Sequence, residues 1–116
     1  MCNKRKEFDA EREELNETVM KFAGKNLKRF YGLDMQTYRE GTLDKKTKEL
    51  LGLVSSFVLR CDDCIKYHLN MCKDAGVTSE ELEEALMIGV LVGGSITIPH
   101  LRRAFAYWEN ICAENA

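Results

Sequence analysis

Glu49-Leu50-Leu51-Gly52-Leu53-Val54-Ser55-Ser56-Phe57-Val58-Leu59-Arg60-Cys61-Asp62-Asp63-Cys64-Ile65-Lys66-Tyr67-His68 carries the reading of the fold and of the chemistry together. Leu50, Leu51, Leu53, Val54, Phe57 and Val58 recur at helical spacing and predict a helix over Asp44 to about Leu59, with Glu49 at the edge of its apolar stripe. Cys61, Cys64 and His68 stand three and four apart, so on a second helix they share one face with neighbouring Cβ atoms roughly 5–6 Å apart. A turn at Arg60 and Cys61 folds that second helix back antiparallel to the first. Glu49 is then about eleven residues before the turn and His68 about seven after it. The offset is ~6 Å at 1.5 Å per residue, and a bridging water or splayed helices are expected to close it.

Working outward, the whole chain reads as helices, and the expected fold class is all-α, a compact bundle of about six. Phe8 to Phe22 is a charged amphipathic helix that Gly24 punctuates. A less regular stretch follows through Phe30, Tyr31, Leu33, Met35 and Tyr38, with Gly32 and Gly41 as breaks. The dithiol helix runs from Asp62 to about Ala75 and ends at Gly76, with Asp62 and Asp63 expected to cap its first turn. Thr78 and Glu81 form a capping box for the next helix, which Gly93-Gly94 stops. A last helix begins near Thr97, takes Pro99 in its first turn and carries Leu101, Phe105, Trp108 and Cys112 on one side. No alternating strand pattern, repeat or linker competes, so residues 1–116 read as one domain.

Composition excludes several function classes. The chain has 116 residues, 45% hydrophobic and 31% charged, with a net charge of −2. Its first 48 residues carry +3 and the remainder −5. Neither half is the concentrated basic patch, interleaved with aromatics, that nucleic-acid binding uses. No run approaches the ~20 apolar residues that span a bilayer, and the charged start is no signal core, so a cytoplasmic location without membrane partners is expected. In that reducing compartment five cysteines with one CxxC pair point to a working dithiol rather than a disulfide framework. Cys72 reads as core, Cys112 as packed beside Trp108 and Ile111, and Cys2 as part of a terminus.

The constellation suits thiol chemistry. A thiolate, not a thiol, attacks a peroxide or disulfide, and a free cysteine near pKa 8.5 is mostly protonated. A helix N-terminus at Cys61 and Cys64, His68 one turn on, and Glu49 orienting the imidazole all favour the thiolate, while Asp62 and Asp63 oppose it. Cys61, Cys64, His68 and Cys72 also have the residue types of a zinc site. On one helix, however, Cys61 and Cys72 are ~16 Å apart, too far for a single ion whose ligands lie within about 2.3 Å, which leaves only a two-ligand site completed by another chain. His100 reads as a hydrogen-bonder at a helix start, and Arg102 and Arg103 as a solvated or ion-paired face.

The spacing Glu49-x11-Cys61-x2-Cys64-x3-His68, with Gly93-Gly94-Ser95 and Pro99-His100-Leu101-Arg102-Arg103, resembles the alkylhydroperoxidase D-like (AhpD-like) branch of the carboxymuconolactone decarboxylase superfamily. The resemblance runs from about Leu43 to Phe105. It implies that Cys64 is the attacking thiolate, Cys61 the resolving thiol, His68 the base and Glu49 its proton relay, in a hydroperoxide or protein-disulfide reductase. It also implies a thioredoxin-like or lipoyl-bearing reductant and a homo-oligomer (dimer, trimer or hexamer). Asp63 departs from the pattern, because better-studied members carry a second histidine between the cysteines. No flavin, haem or nucleotide motif is present, so no cofactor is expected. Two alternatives stay open: a non-catalytic assembly that senses redox state, and lactone decarboxylation with His68 or His100 as acid–base.

Overall fold

A computed structural model describes residues 3–113. Six α-helices follow one another: α1 (Lys4–Phe22), α2 (Lys25–Thr37), α3 (Lys45–Val58), α4 (Asp62–Asp74), α5 (Ser79–Gly93) and α6 (Ile98–Ala113), the last entered through a 3-10 turn at Ser95–Thr97. No strand occurs among the described residues, and the fold is all-α as expected. Cys2 lies outside the described residues.

The stretch expected to be irregular is a continuous helix. In α2 the apolar Leu27, Tyr31 and Met35 recur every four residues, and Gly24 serves as N-cap. Gly32 sits mid-helix with open space where a Cβ would be. A helical glycine costs about 1 kcal/mol against alanine, which lowers helix propensity without breaking the helix. The first helix likewise begins earlier than expected, because the Asn3 side chain accepts the Lys6 N–H at 2.8 Å and caps it at Lys4.

The core is built by α3 to α6. Leu53 and Phe57 of α3 meet Ile65, Leu69 and Cys72 of α4, Leu82 and Leu86 of α5, and Ala104, Trp108 and Ile111 of α6. A Cβ on Gly89 would stand 2.6 Å from the Phe57 ring, so this glycine is what lets α5 close on α3. Gly89 thus serves packing within the chain. Helix α1 is strapped on by Arg5, whose guanidinium donates two bonds to Asp74 at 2.7 and 2.8 Å. Asn70 reinforces that strap, donating to Asp9 at 3.3 Å and accepting from the Tyr107 hydroxyl at 2.9 Å.

Two identical turns punctuate this core, and one of them uses an unusual residue. After α4, Gly76 N–H bonds Lys73 O and Val77 N–H bonds Cys72 O, with Gly76 left-handed at φ +85°. After α3 the same pair of bonds runs from Arg60 to Phe57 and from Cys61 to Ser56, but the left-handed residue is Arg60, at φ +58°. This is the Schellman arrangement, which normally ends in glycine. A side chain there costs roughly 1–2 kcal/mol, partly offset by the greater freedom glycine gives the unfolded chain. Arg60→Gly is therefore expected to stabilise the protein by about 0.5–1 kcal/mol, read as a rise in the urea midpoint at unchanged slope. A lower midpoint would mean that the Arg60 side chain makes compensating interactions.

Candidate functional site

The turn delivers Cys61 to the N-terminus of α4, where it is the N-cap residue: its Sγ accepts the Cys64 backbone N–H at 3.2 Å. The cap atom is thus a cysteine sulfur rather than either carboxylate expected there, because φ and ψ turn helical only at Asp62. Asp62 and Asp63 occupy the first helical turn instead. Cys61 and Cys64 are joined by a disulfide, with Cα atoms 5.3 Å apart, inside the range the bond tolerates. Cys61 is half-buried and Cys64 exposed.

One turn beyond Cys64, His68 is buried and its Nδ1 lies 3.0 Å from Glu49 Oε1. The contact is direct, without the bridging water or splay that the helix offset suggested. Gly52 explains it. It stands level with His68, each six residues from the turn that joins α3 to α4. A Cβ at Gly52 would fall 2.7 Å from His68 Cε1, so the imidazole lies against bare backbone. From there it reaches Glu49, which is one turn of α3 away.

Glu49 is 1% exposed, an ionisable group inside the protein, and it is accounted for on both oxygens. Oε1 meets His68 and Oε2 accepts from Lys45 Nζ at 3.0 Å. Burial by itself would push the Glu49 carboxyl up; the bonds from His68 and Lys45 outweigh it and hold the group below the ordinary carboxylate range. An ionised Glu49 accepts only, so His68 Nδ1 carries the hydrogen; in the neutral imidazole the lone pair is then on Nε2.

A carboxylate whose pKa is depressed by folding adds stability that is complete above its unfolded value, near 4.3, and is lost as pH falls through the folded value. Asp62 and Asp74 are depressed as well. Thermal midpoints are therefore expected to fall on acidification from about pH 5 toward pH 3, with Glu49→Gln showing a shallower fall. Parallel curves for the two proteins would show that Glu49 is not linked to folding.

The structure brings all four residues of the spacing, Glu49, Cys61, Cys64 and His68, to the α3–α4 hairpin. Three residues not singled out from the sequence join them. Two are Gly52, against which the imidazole lies, and Lys45, which donates to Glu49. Tyr38, at the C-cap of α2, places its hydroxyl 3.4 Å from His68 Nε2. Lys45 was legible as an i, i+4 partner of Glu49; Tyr38 was not, because thirty residues separate it from His68. Cys72 stays apart from the chemistry: it is fully buried, and burial, helped by the Glu49 charge, pushes its thiol up to about 12.

His100 does act at a helix start, as read from the sequence, but across to α4. Its Nδ1 lies 2.9 Å from Asp62 Oδ1, and Arg103 Nη2 lies 3.1 Å from Asp62 Oδ2. Burial would raise Asp62; His100 and Arg103 together hold it low. The charge beside Cys61 is thereby countered from α6. Arg102 is exposed. Among the described residues no three His, Cys, Asp or Glu side chains converge as a metal site.

Cys64 opens into a cleft of about 640 Å³ between α1, α2 and α4. Its walls combine apolar Phe8, Leu15 and Phe30 with the charged Arg12, Asp63 and Lys66. Arg12 is anchored over the Tyr67 ring, 4.1 Å from its centroid.

An all-α fold holding a dithiol at a helix N-terminus, with a buried Glu–His pair one turn behind, defines the class of protein. The chain belongs to the carboxymuconolactone decarboxylase family, whose profile matches residues 24–107. It is 55% identical to TM1620 from Thermotoga maritima, with a TM-score of 0.93 over 95% of this chain and 96% of that one. A second structure of TM1620 describes it as a carboxymuconolactone decarboxylase family protein with a suggested part in the antioxidative response. A Legionella pneumophila family member, lpg0406, is 25% identical with a TM-score of 0.84 over 95% of this chain and 98% of that one. An alkyl hydroperoxide reductase AhpD from Corynebacterium kroppenstedtii is 33% identical over 63 residues, 54% of this chain and 36% of that protein. Among the described residues no helix is long and apolar enough to cross a membrane.

Proposed function

We propose that the protein is a thiol oxidoreductase that reduces hydroperoxides or protein disulfides by cycling the Cys61–Cys64 pair between dithiol and disulfide. The observation that carries this reading is the disulfide at the start of α4 with His68 one turn on along the same helix, buried and paired across to Glu49 of α3. The family membership and the AhpD relatives agree with a redox role.

In this reading Cys64 attacks, because it is the exposed sulfur and faces the cleft, while His68 takes its proton. The thiolate attacks one peroxide oxygen: an S–O bond forms, the O–O bond breaks, and the departing alkoxide takes a proton to leave as the alcohol. Cys64 is then a sulfenic acid. Cys61 attacks that sulfur, the S–S bond forms, and the hydroxyl leaves as water with the Cys61 proton. For a disulfide substrate Cys64 forms a mixed disulfide instead, which Cys61 resolves. A dithiol reductant, thioredoxin-like or lipoyl-bearing, regenerates the pair and leaves as its own disulfide. The Cys64 amide that donates to Cys61 Sγ at the helix N-terminus suits Cys61 as leaving thiolate in that last exchange.

Trapping the intermediate tests this assignment. Reduced Cys61→Ser, treated with an organic hydroperoxide and dimedone, is expected to carry the sulfenic acid adduct on Cys64. A protein that yields no adduct on Cys64, and no mixed disulfide with a small disulfide, would contradict it.

We further propose a homo-oligomer. Ile88, Leu91 and Val92 are each at least 60% exposed on one side of α5, more apolar surface than a solvated helix normally shows. Leu91→Glu is expected to lower the mass measured by light scattering; a wild-type protein already monomeric at micromolar concentration would refute the assembly.

A further inference from the structure

The geometry points to Tyr38 as a positioning residue for His68: its hydroxyl can serve the imidazole Nε2 in both protonation states, and so it helps set how readily Cys64 becomes a thiolate. The inference rests on the thiol reading above, in which His68 holds the Cys64 proton.

Glu49 leaves His68 one free ring nitrogen, Nε2, and that nitrogen meets Tyr38 Oη at 3.4 Å. The two rings are 5.1 Å apart between centroids and tilted by 50°. Gly52 fixes both at once, since a Cβ there would stand 2.7 Å from His68 Cε1 and 2.8 Å from Tyr38 Oη. Neutral His68 presents a lone pair at Nε2, and the phenol O–H donates to it. Once His68 has taken a proton, Nε2 carries a hydrogen and the same oxygen accepts it. Only the hydroxyl rotor turns; neither ring moves. The proton leaves Cys64 Sγ and becomes the Nε2–H, with no change of oxidation state.

Without the hydroxyl, Nε2 loses this hydrogen bond in both states. An unsatisfied buried group costs more when it is charged, so the imidazolium and the thiolate paired with it lose more than the neutral pair. The sign is therefore fixed: removing the hydroxyl raises the pH at which Cys64 ionises. The other charges around the pair do not reverse it. From α3, Glu49 faces His68 and Lys45 faces Glu49; from α2, Asp34 acts on Tyr38. On α4, Tyr67 packs edge-on to His68 and carries Arg12 of α1 on its face. Cys64 itself shares its cleft with Asp63 and Lys66 of its own helix, Glu11 of α1 and Asp34. Tyr38→Phe alters none of these charges.

The test is the pH dependence of Cys64 alkylation by iodoacetamide in the fully reduced Cys61→Ser background, a probe independent of any physiological substrate. Tyr38→Phe is expected to move the midpoint up by about one unit. That is about tenfold less thiolate at neutral pH, converging with the parent at high pH. His68→Gln is expected to raise the midpoint at least as far, and Tyr38→Phe added to His68→Gln to change nothing more, since it acts through His68. A Tyr38→Phe profile that overlays the parent while His68→Gln shifts it overturns the role of Tyr38 alone. A His68→Gln profile that overlays the parent overturns the base itself, and with it the thiol reading. A uniform drop at every pH also overturns the Tyr38 proposal, because a merely structural effect has no midpoint to move.

Discussion

Cys64→Ser is expected to abolish turnover of hydroperoxides and disulfides, a loss of at least about 10³-fold, while leaving the fold intact. Cys64 is exposed and outside the core, so a serine hydroxyl there creates no cavity and buries no new polar group. The chemistry is what fails. An alkoxide is not accessible at neutral pH, and removing the attacking atom of a unit that acts together removes nearly all of its rate. Cys61→Ser is expected to behave differently: one oxidation per chain proceeds at close to the normal rate, and the cycle then stops because nothing resolves the product. The asymmetry is the informative part, and burst kinetics with an excess of hydroperoxide measures it. Equal burst amplitudes in the two variants would contradict the roles given to the cysteines.

Glu49→Gln carries the second large effect, expected to slow thiol oxidation at pH 7 by about 10²-fold. The carboxylate fixes the imidazole tautomer by accepting from Nδ1. A glutamine amide can turn its NH2 toward Nδ1 instead, leaving the hydrogen on Nε2, where the base needs a lone pair. Lys45 loses its ionic partner at the same time. Because the site is buried, imperfect pairing is also expected to cost about 1–3 kcal/mol of stability at pH 7. The rate loss and the stability loss separate by pH. Above the thiol's own pKa the base is no longer needed, so the rate deficit shrinks while the stability deficit persists. A rate deficit constant across pH would assign Glu49 a structural role only.

The α3–α4 hairpin was legible because its evidence is local. Apolar spacing set α3, the cysteines set the face of α4, and the count from Glu49 to His68 located the couple across the turn. The Thr78–Glu81 capping box was equally legible, and both of its reciprocal bonds are present. Helix α2 was not, because Gly32 reads as a break when weighed alone. Along α2, Leu27, Phe30, Leu33 and Met35 are all exposed, so its helical spacing is not the signature of a buried face. The direct Glu49–His68 contact was missed because a register count of backbones omits what stands between them. A residue without a side chain, Gly52, lets the imidazole reach one turn further. Tyr38 was invisible for a different reason: its partner is thirty positions away, and an isolated tyrosine in a helix carries no spacing signal. The pairing of His100 and Arg103 with Asp62 is long-range in the same way, joining α6 to the first turn of α4.

These residues divide the work of the site between two helix features. At the N-terminus of α4 the Cys64 amide bonds Cys61 Sγ, and behind it the buried Glu49–His68 pair is joined by the exposed Lys45 at one end and the half-buried Tyr38 at the other. Asp63 adds negative charge to the cleft where better-studied members of the AhpD-like branch carry histidine, which suits measured thiol exchange more than an extreme thiolate.

The most direct test of the dithiol cycle is the intact mass and thiol titre of fully reduced protein after one equivalent of an organic hydroperoxide. The cycle predicts rapid loss of two thiols per chain and two mass units, with peptide mapping placing the new bond between Cys61 and Cys64 and one alcohol formed per disulfide. Persistence of both thiols over minutes, with hydroperoxides and with a small disulfide alike, would contradict it.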